Sequence, residues 1–144
     1  MSLPTTLLAA QAVASGMMAG IIWFVQAVHY PLFAAADAPG YALENQRRTS
    51  WVVLPPMLVE AVAAAWLVIQ PPAAVGRGAA VVGLVMVALL WLSTLAVQMP
   101  LHARLAREGH GPETVAALVR SNWLRTVLWT ARALLAAWML AVAH

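Results

Sequence analysis

Long apolar stretches alternate with short polar ones along this chain at a spacing set by the thickness of a bilayer. A spanning helix needs about 20 mostly apolar residues, and four windows meet that length: about 4–29, 50–69, 79–98 and 115–142. Proline marks most of their edges. Pro4 suits a first helical turn, Pro31 is expected to stop helix 1, Pro71 and Pro72 to end helix 2, and Pro100 to bend or end helix 3. Helix 4 starts near Thr114 or Val115, and its membrane part starts near Asn122. The pattern predicts an all-α integral membrane protein, a four-helix up-and-down bundle forming a single transmembrane domain over 1–144.

The polar residues inside these windows fall at helical spacings. Helix 1 carries Gln26, His29 and Tyr30, and helix 3 carries Thr94, Gln98 and His102. In helix 4, Asn122, Arg125, Thr126, Trp129 and Arg132 share one face. With alternating helix directions, these stripes converge on the half of the bundle nearest the first and third loops. The half nearest the termini is expected to be apolar. Glu60 lies nine residues past Trp51, and Arg132 nine past Trp123, so the two are expected at the same depth. Ionisable groups inside a span are expensive and are functional candidates by default. A Glu60–Arg132 ion pair solves the cost, with Arg125 a second candidate partner. Such a pair can fix helix register or take part in catalysis.

Sliding the chain against itself by 72 residues, half its length, aligns Arg48-Thr49-Ser50-Trp51 with Arg120-Ser121-Asn122-Trp123. The same register aligns Ala64-Ala65-Trp66 with Ala136-Ala137-Trp138 and Val25-Gln26 with Val97-Gln98. Two helical hairpins related as parallel repeats would produce this match. Trp51 and Trp66 are about 22 Å apart along a helix, which places one ring near each interface, where Trp is favoured.

Composition narrows the partners. Charged residues make up 9% of the chain, against about 25% in soluble domains, so the surrounding medium is lipid. The basic residues are all Arg, are scattered, and several lie within apolar runs, which argues against nucleic-acid binding. Cysteine is absent, which removes disulfides, thiolate metal sites, Fe–S clusters and thiol redox chemistry. The start of the chain lacks a basic n-region and its apolar run reaches Phe24, so helix 1 is expected to be retained. Arg47, Arg48, Arg104, Arg107 and Arg120 flank the first and third loops, against Arg77 alone in the second. The positive-inside rule then puts both termini in the periplasm of a bacterial inner (cytoplasmic) membrane protein.

Three kinds of chemistry fit the converging residues. His29, His102 and Glu60 have the ligand types of a two-His-one-carboxylate centre for a metal such as iron or copper. His29 and His102 could instead be axial haem ligands on facing helices. Without a cofactor, Glu60 would serve as a base while Arg125 and Asn122 hold substrate oxygens. Against these stands interfacial placement of the His residues and plain inter-helix hydrogen bonding by Gln98, Asn122 and Thr126. Gly16 and Gly20 form a GxxxG that permits close helix approach, within the bundle or in a homo-oligomer. Pro55-Pro56 is expected to bend the first turns of helix 2 and to favour a cavity beside Glu60.

The segments His29-Tyr30-Pro31-Leu32-Phe33, Gln98-Met99-Pro100-Leu101-His102 and Asn122-Trp123-Leu124-Arg125-Thr126 resemble signatures of small bacterial four-helix integral membrane proteins, most of unknown function. Over its whole length the chain is also similar in helix pattern to the anthrone-oxygenase-like membrane family. That resemblance implies oxidation of a hydrophobic aromatic substrate; it carries no catalytic residue over to this chain. The expected function is a redox or oxygenase-type enzyme acting on a lipid-soluble aromatic or quinone-like molecule. The alternatives are a non-catalytic accessory or assembly subunit of a membrane complex and an oligomeric transporter or channel protomer.

Overall fold

The computed structural model describes residues 3–35, 40–109 and 111–143; His110 and His144, to which no role is assigned, lie outside them. Four helical segments, each long and apolar enough to cross a membrane, make up the bundle: α1 (Leu3–Ala35), α2 (Tyr41–Ile69), α3 (Gly76–Glu108) and α4 (Pro112–Val142). Helices satisfy their own backbone hydrogen bonds, which hydrocarbon cannot do for them. Each helix packs on its two chain neighbours, and α4 closes back on α1, so the four form a ring.

All four segments differ from their expected bounds, for identifiable reasons. α2 begins at Tyr41, not near Ser50, directly after Gly40, whose φ of +77° is open to glycine. α4 begins with Pro112 at its first helical position, where the missing N–H costs nothing. More consequentially, α1 and α3 run straight through Pro31 and Pro100. In each, a π-turn precedes the proline, Val25–His29 in α1 and Thr94–Gln98 in α3. The N–H of Tyr30 reaches back five residues to the Val25 carbonyl, and that of Met99 reaches the Thr94 carbonyl. The wider turn absorbs the proline ring and its missing donor, so the helix continues. Arg47, Arg48, Arg104 and Arg107 therefore sit on helix ends, two of them paired with Glu44 and one with Glu108.

The π-turns also re-phase the helices. Buried positions on α3 run Ala80, Gly83, Val87, Leu90, Ser93 and then jump five residues to Gln98. That jump is the extra residue of the π-turn, and it brings Gln98 onto the inner face. The two turns correspond at an offset of 69 residues (94 − 25), three fewer than the 72 that aligned Gln26 with Gln98. The glutamines are thus not equivalent: Gln26 is second in its turn and Gln98 is last.

Two apolar clusters fill the interior. Near the first and third loops, Met18, Ile22, Phe33, Leu90, Leu118 and Trp129 pack together; near the termini, Leu8, Leu67, Val75, Ala80 and Met139 do so. Outside, Trp51 is 76% exposed, and Trp66, Trp123 and Trp138 also face outward among Leu and Val. So large an apolar exterior suits lipid and not water.

The terminal half is not purely apolar, contrary to the sequence pattern. Gln11, Ser15, Glu60 and Arg132 are each 0% exposed and meet there. Arg132 Nη2 donates to Gln11 Oε1 at 2.6 Å, and the Ser15 hydroxyl donates to Glu60 Oε1. Arg132 Nε lies 3.6 Å from Glu60 Oε1, an ion-pair contact too long for a hydrogen bond. On α3 the site is vacated by Gly83, where a Cβ would sit 3.0 Å from Arg132 Nη1. The helix crossing is thus built around one guanidinium.

Two packing expectations change. Gly16 and Gly20 are exposed, with nothing within 4 Å of where a Cβ would stand, so the GxxxG is not a contact within the bundle. Pro55 and Pro56 lie inside an unbroken α2 and line an outward-open groove against α1, not a cavity at Glu60.

Breaking a buried pair by removing one partner typically costs about 3–5 kcal/mol. Glu60→Gln is therefore expected to lower thermal stability in detergent strongly; an unchanged melting curve would contradict burial against Arg132. Gly83→Val should cost about 1–3 kcal/mol by overpacking, read in the same melting experiment. A fully tolerated valine would show that Arg132 does not occupy that space.

Candidate functional site

At and beyond the π-turns the four helices carry polar side chains to one place. α1 supplies His29 and Tyr30, α3 Gln98 and His102, α4 Arg125, and the early turns of α2 supply Asn45 and Thr49; all line a cavity of about 100 Å³. Met18, Ile22 and Val25 complete its apolar floor.

The cavity wall is a chain of hydrogen bonds. The Tyr30 hydroxyl lies 3.0 Å from His102 Nε2 and donates over 3.4 Å toward Gln98 Oε1. Gln98 Nε2 donates to Ser121 Oγ at 3.0 Å, and that hydroxyl donates to the Ala117 carbonyl at 2.7 Å. On the opposite side Asn45 Nδ2 lies 3.0 Å from His29 Nε2, and Thr49 Oγ1 donates to Asn45 Oδ1 at 3.4 Å. A neutral imidazole has one donor and one acceptor nitrogen. If the Asn45 amide donates to His29 Nε2, the ring proton resides on Nδ1.

Asn122 stands behind the cavity. Its Nδ2 donates to Gln26 Oε1 at 2.9 Å and its Oδ1 accepts from Arg125 Nη1 at 3.2 Å. Gln26 Nε2 is anchored on the Val119 carbonyl at 3.2 Å. Thr126 donates to the Asn122 carbonyl at 3.0 Å. Asn122 thus orients the guanidinium from outside the cavity, and Gln26 and Thr126 hold Asn122. Trp129 is buried in the neighbouring apolar cluster, its Nε1 without a partner.

Within this array, two polar atoms on cavity-lining residues, His102 Nδ1 and Arg125 Nε, are buried with no hydrogen-bond partner. Buried polar atoms are nearly always satisfied, so such a pair of orphans calls for an explanation.

Glu60 is not at this site. Its partner Ser15 precedes His29 on α1 by fourteen residues, about 21 Å along the axis. His29, His102 and Glu60 therefore cannot share one metal ion, and among the described residues no group of three His, Asp or Glu is placed to hold one. A haem between the two His does not fit either. Phe33 packs against both rings, at 5.2 Å from His29 and 6.1 Å from His102 between centroids. The cavity of about 100 Å³ is also too small for a haem macrocycle, which is several times the size of a single ring. Arg125, the second candidate partner of Glu60, faces Asn122 and the cavity instead. Of the three residues with a proposed catalytic part, only Arg125 lines the cavity.

Asn45, Thr49, Phe33 and Ser121 join the site without having been named as site candidates from the sequence. Asn45 and Thr49 fall in what the hydropathy pattern reads as a loop; Gly40 is the signal that α2 starts earlier. Compared with models of protein families, with characterised proteins and with solved structures, the chain matches none.

Proposed function

We propose that the protein binds a lipid-soluble, oxygen-bearing aromatic or quinone-like molecule in the cavity at the loop end, and acts on it as a redox or oxygenase-type enzyme. The observation that carries this reading is that His102 and Arg125 line one cavity inside a membrane-spanning bundle, and that each has a buried side-chain nitrogen, Nδ1 and Nε, without a hydrogen-bond partner. A ring oxygen could accept from the guanidinium and exchange a proton with the imidazole. Interactions with a fixed cation are strong where water is scarce.

The chemistry needs few parts. Arg125, oriented by Asn122, favours negative charge developing on a ring oxygen. The Tyr30–His102 contact gives the proton a route: as His102 exchanges it at Nδ1, its Nε2 can exchange with the phenol. Electrons leaving the ring pass to an acceptor dissolved in the bilayer, such as dioxygen. This chemistry uses no resident metal: among the described residues no side chains are grouped to hold one. Glu60 and Arg132 are fully enclosed and belong to the packing of the bundle.

In this reading the site opens toward the cytoplasm of a bacterial inner membrane. Arg47, Arg48, Arg104, Arg107 and Arg120 gather at the loop end, and Arg77 lies at the other. The chain has no cysteine, so single introduced cysteines report topology directly. A cysteine at Ala73 should react with a membrane-impermeant thiol reagent on intact spheroplasts and one at Gly109 should not; the reverse pattern would invert the orientation.

Binding is testable through the intrinsic Trp fluorescence of purified protein, titrated with a benzoquinone or its hydroquinone. Arg125→Gln and His102→Ala are each expected to weaken binding at least about tenfold, or about 1.4 kcal/mol. Equal affinity across wild type and both variants would overturn the proposal.

A further inference from the structure

The cavity shares a wall with a second pocket. Ile21, Val25, His29, Thr49 and Val53 line it on one side and on the other line a groove of about 460 Å³ between α1 and α2. That groove faces outward, where lipid lies, and its remaining lining is Gly20, Phe24, Val52 and Arg48. Gly20 is exposed and has open space where a side chain would stand, which gives the groove its width. A small chamber carrying polar groups and a larger apolar groove thus lie back to back, with these five residues as their common wall.

The sizes differ in a way that selects a shape. A cavity of about 150 Å³ holds benzene, so the chamber, at about 100 Å³, must widen by about half to admit a single six-membered ring. Two or three fused rings exceed it. The groove is several times larger and mostly apolar, and burying each CH₂ there contributes about 0.8 kcal/mol relative to water. Resting on the reading of the chamber as a ring site, we infer that the substrate is a single-ring quinone or phenol carrying a long hydrocarbon tail. The ring enters sideways from the bilayer between α1 and α2, and the tail stays in the groove beside Gly20. This favours a tailed single ring over the fused polycycle that the anthrone-oxygenase-like resemblance implies.

Three ligands separate the outcomes, each titrated into protein reconstituted in lipid nanodiscs: a benzoquinone with a ten-carbon tail, the same ring with only methyl groups, and an anthraquinone. Concentrations are expressed per lipid, to remove the partitioning of the tail into the bilayer. The tailed ring should bind at least tenfold more tightly than the methyl-only ring, and the anthraquinone should show no Arg125-dependent binding. Gly20→Leu, which fills the groove outside the chamber, should abolish the tail's advantage and leave the methyl-only ring unaffected. Equal affinity of the two single rings, with Gly20→Leu silent, would overturn the tail site and leave the ring site standing; a lipid acyl chain would then be the groove's occupant. Arg125-dependent binding of the anthraquinone would overturn the single-ring limit. Loss of every Arg125-dependent signal would instead remove the ring site on which the inference rests.

Discussion

A guanidinium enclosed by helices in hydrocarbon has to find its partners within the chain, and Arg132 meets that demand by drawing on every helix. Gln11 accepts from it, Glu60 supplies the countercharge, Ser15 donates to one oxygen of that carboxylate, and Gly83 leaves the room. None of these contacts survives a shift of one helix against another by a single turn. The pair gains little in net free energy over a well-packed apolar core. Its effect is to make alternative registers costly, because each would strand a charge. The ring order of the helices and the depth of the loop-end residues follow from that fixed crossing.

With the terminal half locked, the loop half is free to carry groups chosen for something other than packing. Its polar contacts include a 3.4 Å hydrogen bond from Tyr30 to Gln98, an imidazole nitrogen without a partner, and a guanidinium with one nitrogen unpaired beside a cavity. Such incompleteness is costly in a bilayer and is most readily offset by a ligand. The terminal half thus holds an enclosed ion pair, and the loop half a cation that lines a cavity.

Some of this was legible in the amino-acid sequence. The four spans stand out because the bilayer dictates both length and composition, and the common depth of Glu60 and Arg132 follows from their identical distance to a flanking Trp. Gln11 and Ser15 were not legible, since an uncharged polar residue in an apolar run does not announce what it bonds. Gly83 matters only for the side chain that fills its place. The passage of α1 and α3 through Pro31 and Pro100 depends on a five-residue hydrogen-bonding pattern with no compositional signature. Asn45 was hidden for a related reason: polar residues at the start of α2 extend it past the hydrophobic window. The grouping of His29 and His102 with Glu60 failed because residue types were matched without axial distance.

The π-turns have one more consequence. Each stores a single residue beyond the α-helical repeat, and removing or adding one there would turn everything beyond it by about 100°. The terminal half, with Arg132 at its heart, would not register the change. A lineage of such proteins could therefore present a different set of side chains to the chamber by length changes of one residue, leaving the substitutions that maintain the bundle untouched. Pro31 and Pro100 then act as fixed markers, against which such insertions and deletions could be counted.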